Sequence, residues 1–170
     1  MHSKNKKSDY KVSVVGAGYI GSVLAAVLSD NGANVTAIDI NQKVIDLINK
    51  GISPIEEPGL EALIAKNVSE NRLKGTTDIS SISNSDVILL TVGTPLSDDG
   101  SIDKKALKAA IKSISPHVKN DQLVIVKSTV SPYSTENEVA KPLRENANVF
   151  VSFCPERLAE GNAINGLKTI

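Results

Sequence analysis

The sequence predicts an α/β fold, a doubly wound parallel sheet of about six strands. Short β-branched runs alternate along the chain with longer stretches of helical period. Several of the runs are apolar at every position, as in Val87-Ile88-Leu89-Leu90 and Leu123-Val124-Ile125-Val126. Such continuous apolarity fits strands buried on both faces, which a parallel sheet covered by helices requires. A length of 170 residues, 41% of them hydrophobic, suits one domain with a substantial core.

The elements follow in order. A first strand is read at 11–15, before a glycine-rich turn. Residues 19–28 continue as a helix, because Ile20, Val23, Leu24, Val27 and Leu28 share one face of a helical period. A strand at 34–39 leads to Asn41, a good N-cap, and to a helix carrying Val44, Ile45, Leu47 and Ile48 that Gly51 stops. A third helix is expected at 59–71 on Leu60, Leu63, Ile64 and Val68, with a short strand at 74–76. Strand 87–91 opens the second half, and helix 103–113 turns Leu107, Ala110, Ile111 and Ile114 inward. Strand 122–127, a helix from Pro132 to residue 144, and strand 149–153 complete it. These are two similar halves whose crossovers are right-handed. After Phe153 the sequence turns irregular, and no further element is expected before Ile170. The chain reads as one domain of a longer protein at 10–170, preceded by a disordered Lys-rich tail at 1–9.

Composition excludes several classes. The 19 basic and 19 acidic residues cancel, and no basic stripe with interleaved aromatics appears, so nucleic acid is not an expected partner. No apolar run approaches the roughly 18 residues of a membrane span. The N-terminus lacks the apolar stretch of a signal peptide, so a membrane is not expected either. One cysteine makes no internal disulfide, and with His2 and His117 it makes no metal-ligand spacing, so no metal is expected. Together these features point to the cytoplasm.

The turn after the first strand reads Gly16-Ala17-Gly18-Tyr19-Ile20-Gly21. A G-x-G-x-x-G alone is a weak signal, but here it follows a buried-type strand and opens an amphipathic helix. Gly16 allows the tight turn, Gly18 lets the backbone approach a pyrophosphate, and Gly21 lets helix and strand pack closely. The free N–H groups at the helix start favour the negative charge. Asp39 ends the second strand at the spacing of a ribose-binding acid. Its carboxylate would repel an added phosphate, and no arginine follows in Ile40-Asn41-Gln42-Lys43. The pattern is that of a Rossmann-type dinucleotide-binding domain that takes NAD in preference to NADP. Lys43 is either near the adenosine or a solvated helix lysine.

Three more polar clusters fall at strand ends: Thr91-Val92-Gly93-Thr94-Pro95, Lys127-Ser128-Thr129-Val130 and Cys154-Pro155-Glu156-Arg157. Each alone reads as turn chemistry. All three at the edge where ligands bind such sheets read as a site.

This ordered set, with Ile55-Glu56-Glu57-Pro58-Gly59-Leu60 and Glu160-Gly161, resembles the N-terminal NAD-binding domain of the UDP-glucose/GDP-mannose dehydrogenase family. The resemblance runs from about Lys11 to the last residue. It implies a two-domain, dimeric enzyme that oxidises the C6 alcohol of a nucleotide sugar to a carboxylate with two NAD+. It matches Gly16, Gly18, Tyr19, Ile20 and Gly21 to the pyrophosphate loop and Asp39 to the ribose acid. Val92, Gly93, Thr94, Ser128 and Thr129 match the cofactor side, and Thr129 also a threonine that positions water. Glu156 matches a glutamate of proton transfer and water activation on the cofactor side. Leu158, Ala159, Glu160 and Gly161 match a loop along the substrate, and Arg157 just before it is a candidate substrate contact. No role follows for Glu56-Glu57-Pro58-Gly59.

Oxidising an alcohol requires loss of a proton, and hydrolysing an acyl-enzyme requires an activated water; Glu156 suits either step. Its bland reading is a surface carboxylate in an exposed turn. Arg157 either binds sugar or phosphate or pairs with Glu160 or Glu145. The family's nucleophilic cysteine is expected beyond residue 170, and Cys154 is read as a small, semi-buried strand-end residue. The fragment alone is therefore expected to bind NAD without completing catalysis. Cys154-Pro155-Glu156-Arg157 resembles the branch that oxidises UDP-N-acetyl-D-mannosamine, whereas Leu158-Ala159-Glu160-Gly161 resembles the UDP-glucose branch. A β-hydroxyacid dehydrogenase and a non-catalytic NAD-binding module are the remaining readings.

Overall fold

The computed structural model describes residues 9–168, so the expected tail lies, apart from Asp9, outside the described residues. Six strands, β1 (Lys11–Val15), β2 (Asn34–Ile38), β3 (Leu73–Thr76), β4 (Val87–Leu90), β5 (Leu123–Val126) and β6 (Phe150–Phe153), form one sheet. Their order is β3-β2-β1-β4-β5-β6, and every pairing is parallel. Around them lie α1 (Tyr19–Asp30), α2 (Gln42–Asn49), α3 (Leu60–Ser69), α4 (Lys105–Ile114), α5 (Lys141–Arg144) and α6 (Ala163–Lys168). No helix among the described residues is long and apolar enough to cross a membrane.

The apolar runs split by side-chain alternation between two cores. Val12, Val14, Val35, Ala37 and Leu89 join Val23, Ala26, Leu60 and Ile64 on one face. Val15, Ile38, Ile88, Leu90, Val124 and Val126 join Leu107, Ile111, Val139 and Leu143 on the other. Strands covered on both sides need no polar face, which is why β4 reads as an unbroken apolar run.

Register sets the functional edge. Val15 pairs with Ile38 and with Leu90, Leu90 with Val126, and Val126 with Phe153. The next residue of each strand is therefore Gly16, Asp39, Thr91, Lys127 or Cys154, and these five lie along one edge. The strand order turns back between β1 and β4, the switch point where such sheets hold ligands.

Three expectations change. The segment after Phe153 is not without structure: α6 forms at Ala163–Lys168, with Ala163 and Ile164 buried. Its cause is tertiary, a carboxylate that arrives from residue 57, described below. The helix expected from Pro132 instead begins at Ser134, because Tyr133 takes a left-handed φ of 66°. It runs as a π-helical segment, Thr135–Ala140, into α5. Pro142 supplies no N–H and its ring crowds the carbonyl four residues back, so the ladder widens ahead of it. A 3-10 segment, Ile79–Asn84, also forms where none is expected, capped by Asp78, whose Oδ1 accepts the Ser80 N–H at 2.9 Å.

Candidate dinucleotide and substrate-side site

The glycine loop has the geometry its sequence demands. Gly16 adopts φ of 100°, and a Cβ there would lie 3.0 Å from backbone atoms of Thr91 and Val92. A Cβ on Gly21 would lie 1.8 Å from the Gly16 carbonyl oxygen. A Cβ on Gly18 would meet nothing within 4 Å. Gly16 and Gly21 are thus required by the protein's own packing, whereas Gly18 opens onto space. Gly18 is also the N-cap of α1 and supplies no side-chain cap, so the first amides of α1 are left for another acceptor. This cradle fits a dinucleotide pyrophosphate. Ile20, in the first turn of α1, is half-buried against the core.

Asp39 braces that loop. Its Oδ2 accepts the Ala17 N–H at 2.7 Å and its Oδ1 accepts the Asn41 N–H at 2.8 Å. Each oxygen keeps a second lone pair, enough to accept from a diol. Lys43 is exposed on α2, and its amide, not its ammonium, takes part in capping, donating to Asn41 Oδ1 at 3.1 Å.

The β4 and β5 ends are tied together by hydroxyls. Thr91 Oγ1 donates to the Gly16 carbonyl at 2.7 Å. Buried Ser128 donates to the Val92 carbonyl at 2.6 Å, and Thr94 donates to the Thr129 carbonyl at 2.7 Å. Ser128 and Thr94 therefore spend their protons on the scaffold, as turn chemistry would have it. Gly93 and Thr129 are exposed at the same edge.

Glu156 is not a surface carboxylate. Its side chain is 10% exposed and lies 3.0 Å through Oε2 from Lys127 Nζ, itself 12% exposed. Oε1 accepts the N–H groups of Arg157 at 2.7 Å and Leu158 at 3.1 Å. The Lys127 contact is an ion pair not aligned as a hydrogen bond, and Oε2 is closed off from solvent beside it. Among the described residues Arg157 pairs with neither Glu160 nor Glu145 and stands exposed. Cys154 is exposed, a correction to the semi-buried position expected of it, because it follows the end of an edge strand; its Sγ lies 3.7 Å from Lys127 Nζ.

The loop at 158–161 is anchored at both ends. Leu158 packs into the core against α6, while Ala159 and Glu160 are exposed. At Gly161, which takes φ of 82°, the N–H reaches Tyr19 Oη at 2.9 Å and Glu57 Oε2 at 2.8 Å. Glu57 Oε1 accepts the Ala163 N–H at 2.8 Å, and Tyr19 Oη donates to Glu57 Oε2. The Tyr19 hydrogen bond, with the amides of Ala163, Gly161 and Ile164, holds the buried Glu57 carboxyl below its ordinary 4.5, against the opposing effect of burial. Burial, and then the Glu57 contact, push the Tyr19 phenol above its ordinary 10.0.

The structure thus gathers the glycine loop, Asp39, Val92, Gly93, Thr94, Ser128, Thr129 and Glu156 at one edge, and among the described residues the side chains of Lys43 and Arg157 have no fixed partner. The sequence sets Lys127 in a strand-end cluster and Glu57 in a motif, but it marks no role for either. Lys127 is signalled only by its place one residue beyond a strand end. Glu57 meets Gly161 across 104 residues of chain, which no local spacing marks.

The NAD-binding-domain profile of the UDP-glucose/GDP-mannose dehydrogenase family matches residues 10–170. A UDP-glucose 6-dehydrogenase of Bacillus subtilis is 41% identical over 158 residues, covering 90% of this chain and 36% of that protein. A GDP-mannose dehydrogenase structure from Pseudomonas aeruginosa superposes with a TM-score of 0.87 at 35% identity, over 92% of this chain and 38% of that one. A UDP-N-acetyl-mannosamine dehydrogenase from Staphylococcus aureus gives a TM-score of 0.84 at 34% identity, over 92% of this chain and 39% of that one. The chain therefore spans little more than a third of the length of these three relatives. It belongs to the UDP-glucose/GDP-mannose dehydrogenase family, of which it is the NAD-binding domain.

Proposed function

We propose that this chain is the cofactor half of an enzyme that oxidises the C6 alcohol of a UDP-sugar to the uronic acid with two NAD+. The nearly buried Glu156, at the same sheet edge as the dinucleotide cradle, is the observation that carries the reading. Bound NAD+ supplies a hydride acceptor. Gly16, Gly18, Tyr19, Ile20 and Gly21 hold its pyrophosphate and Asp39 its ribose. Val92, Gly93, Thr94, Ser128 and Thr129 line the edge beside it. Glu156, fixed through Oε1 by two amides, is the carboxylate that takes a proton from an alcohol or a water once Oε2, closed off from solvent beside Lys127, is uncovered. Thr129 offers a hydroxyl to position that water, and Arg157 with the 158–161 loop lies toward the sugar nucleotide. Lys127 orients Glu156 through their ion pair.

The sugar we infer is UDP-N-acetyl-D-mannosamine, on the strength of Cys154-Pro155-Glu156-Arg157. UDP-glucose is the second reading, favoured by Leu158-Ala159-Glu160-Gly161 and by the 41% identity to a UDP-glucose 6-dehydrogenase. The test is stoichiometry on the whole protein with a panel of UDP-sugars and GDP-mannose. Two NAD+ reduced per UDP-sugar consumed is expected. One NAD+ per turnover, or activity only on a small hydroxy acid, rejects the reading. Binding without turnover by the whole protein favours a non-catalytic module.

A further inference from the structure

We propose that Glu57 is a positioning residue that couples the pyrophosphate loop to the 158–161 loop through Tyr19. Tyr19 is the first residue of α1 and directly follows Gly18, the point of the loop that opens onto the cofactor space. Its phenol donates to Glu57 and accepts the Gly161 N–H. Glu57 in turn accepts the N–H groups of Gly161 and Ala163. Donors from two distant segments thus converge on one carboxylate that is 9% exposed. Only an ionised carboxyl satisfies them, because it offers acceptors alone. A glutamine of the same shape has one acceptor oxygen, and its NH2 would face a donor.

The arrangement has a consequence for binding. A dinucleotide that fixes the start of α1 also fixes the Tyr19 hydroxyl. The hydroxyl and Glu57 then hold Gly161, so cofactor and loop stabilise each other, and the coupling acts equally in both directions. A clamp that served only folding would tie the loop down equally with and without cofactor. The effect on substrate rests on the reading of 158–161 as a substrate-side loop.

The test is amide hydrogen exchange at Gly161 and Ala163, with and without saturating NAD+, in the wild-type chain, Glu57→Gln and Tyr19→Phe. Tyr19→Phe removes one hydroxyl and serves if Glu57→Gln folds poorly. NAD+ is expected to slow both amides about fivefold or more in the wild type and to lose most of that effect in each variant. No slowing in the wild type, or the same slowing in the variants, overturns the proposal. In the whole protein, Glu57→Gln is expected to raise KM for the UDP-sugar by a similar factor while kcat is largely kept. Lost coupling with an unchanged KM supports the link between Tyr19 and Gly161 and removes the loop from the substrate, so the two readings fail separately.

Discussion

Gly18 and Gly21 stand three residues apart and face opposite demands. A methyl on Gly21 would sit 1.8 Å from a backbone oxygen, which no rotamer relieves. Gly21→Ala should therefore cost at least the ~1–3 kcal/mol of an overpacked core, read as a lower urea midpoint. Gly18 has φ of −69° and free space around its Cα, so alanine fits the folded chain. Gly18→Ala should cost no more than about 1 kcal/mol, alanine being the poorer N-cap, yet weaken NAD+ binding by calorimetry. Unchanged affinity would remove Gly18 from the pyrophosphate contact. Cys154 is a third case. It is the only cysteine in the chain, and it is exposed on an edge beside Lys127. We expect Cys154→Ser in the whole protein to retain most activity. Loss of the second oxidation alone would make Cys154 the nucleophile.

Elements held by their own periodicity are legible in the sequence, and elements held by distant partners are not. Asn41 caps α2 and Gly51 ends it at φ of 76°, because both signals are local. The six strands lie within a residue or two of their expected places, since a buried parallel strand is apolar throughout. By contrast α6 depends on Glu57, whose carboxylate takes the Ala163 N–H at the helix start. At the site, the glycine loop and Asp39 are legible by spacing, whereas the burial of Glu156 and its pairing with Lys127 arise from β5 and β6 lying side by side. The Glu57 contact also gives α6 a pH dependence. A carboxyl held below its ordinary 4.5 stabilises the folded state fully above that value, and the contribution is lost as pH falls through the depressed one. Acidification through the depressed value should therefore lower the protection of the Gly161 and Ala163 amides, measured against their intrinsic exchange rates at each pH, in the wild type. Glu57→Gln should show low protection already at neutral pH, and that protection should change little on acidification. An acid-insensitive wild type would refute the assignment.

Across the whole molecule, the site belongs to neither half of the fold. Gly16 and Asp39 come from β1 and β2, while Thr94, Thr129 and Glu156 follow β4, β5 and β6. Only the crossing of the chain at the β1–β4 switch point sets them at one edge. A dinucleotide bound there contacts both halves, and it binds the folded state alone, since the unfolded chain has no such edge. Folding and binding are then linked, and NAD+ at one hundred times its Kd should add about 2.7 kcal/mol to stability. For a domain of this size that is a rise in Tm of roughly 5–11 °C. NADP+ at the same concentration should raise Tm far less. Its extra phosphate meets the Asp39 carboxylate, and the residues that follow, Ile40-Asn41-Gln42-Lys43, supply no arginine to offset the repulsion. Thermal melts with each dinucleotide decide the matter. Equal shifts would mean that Asp39 serves to brace the Ala17 and Asn41 amides and does not read the ribose at all.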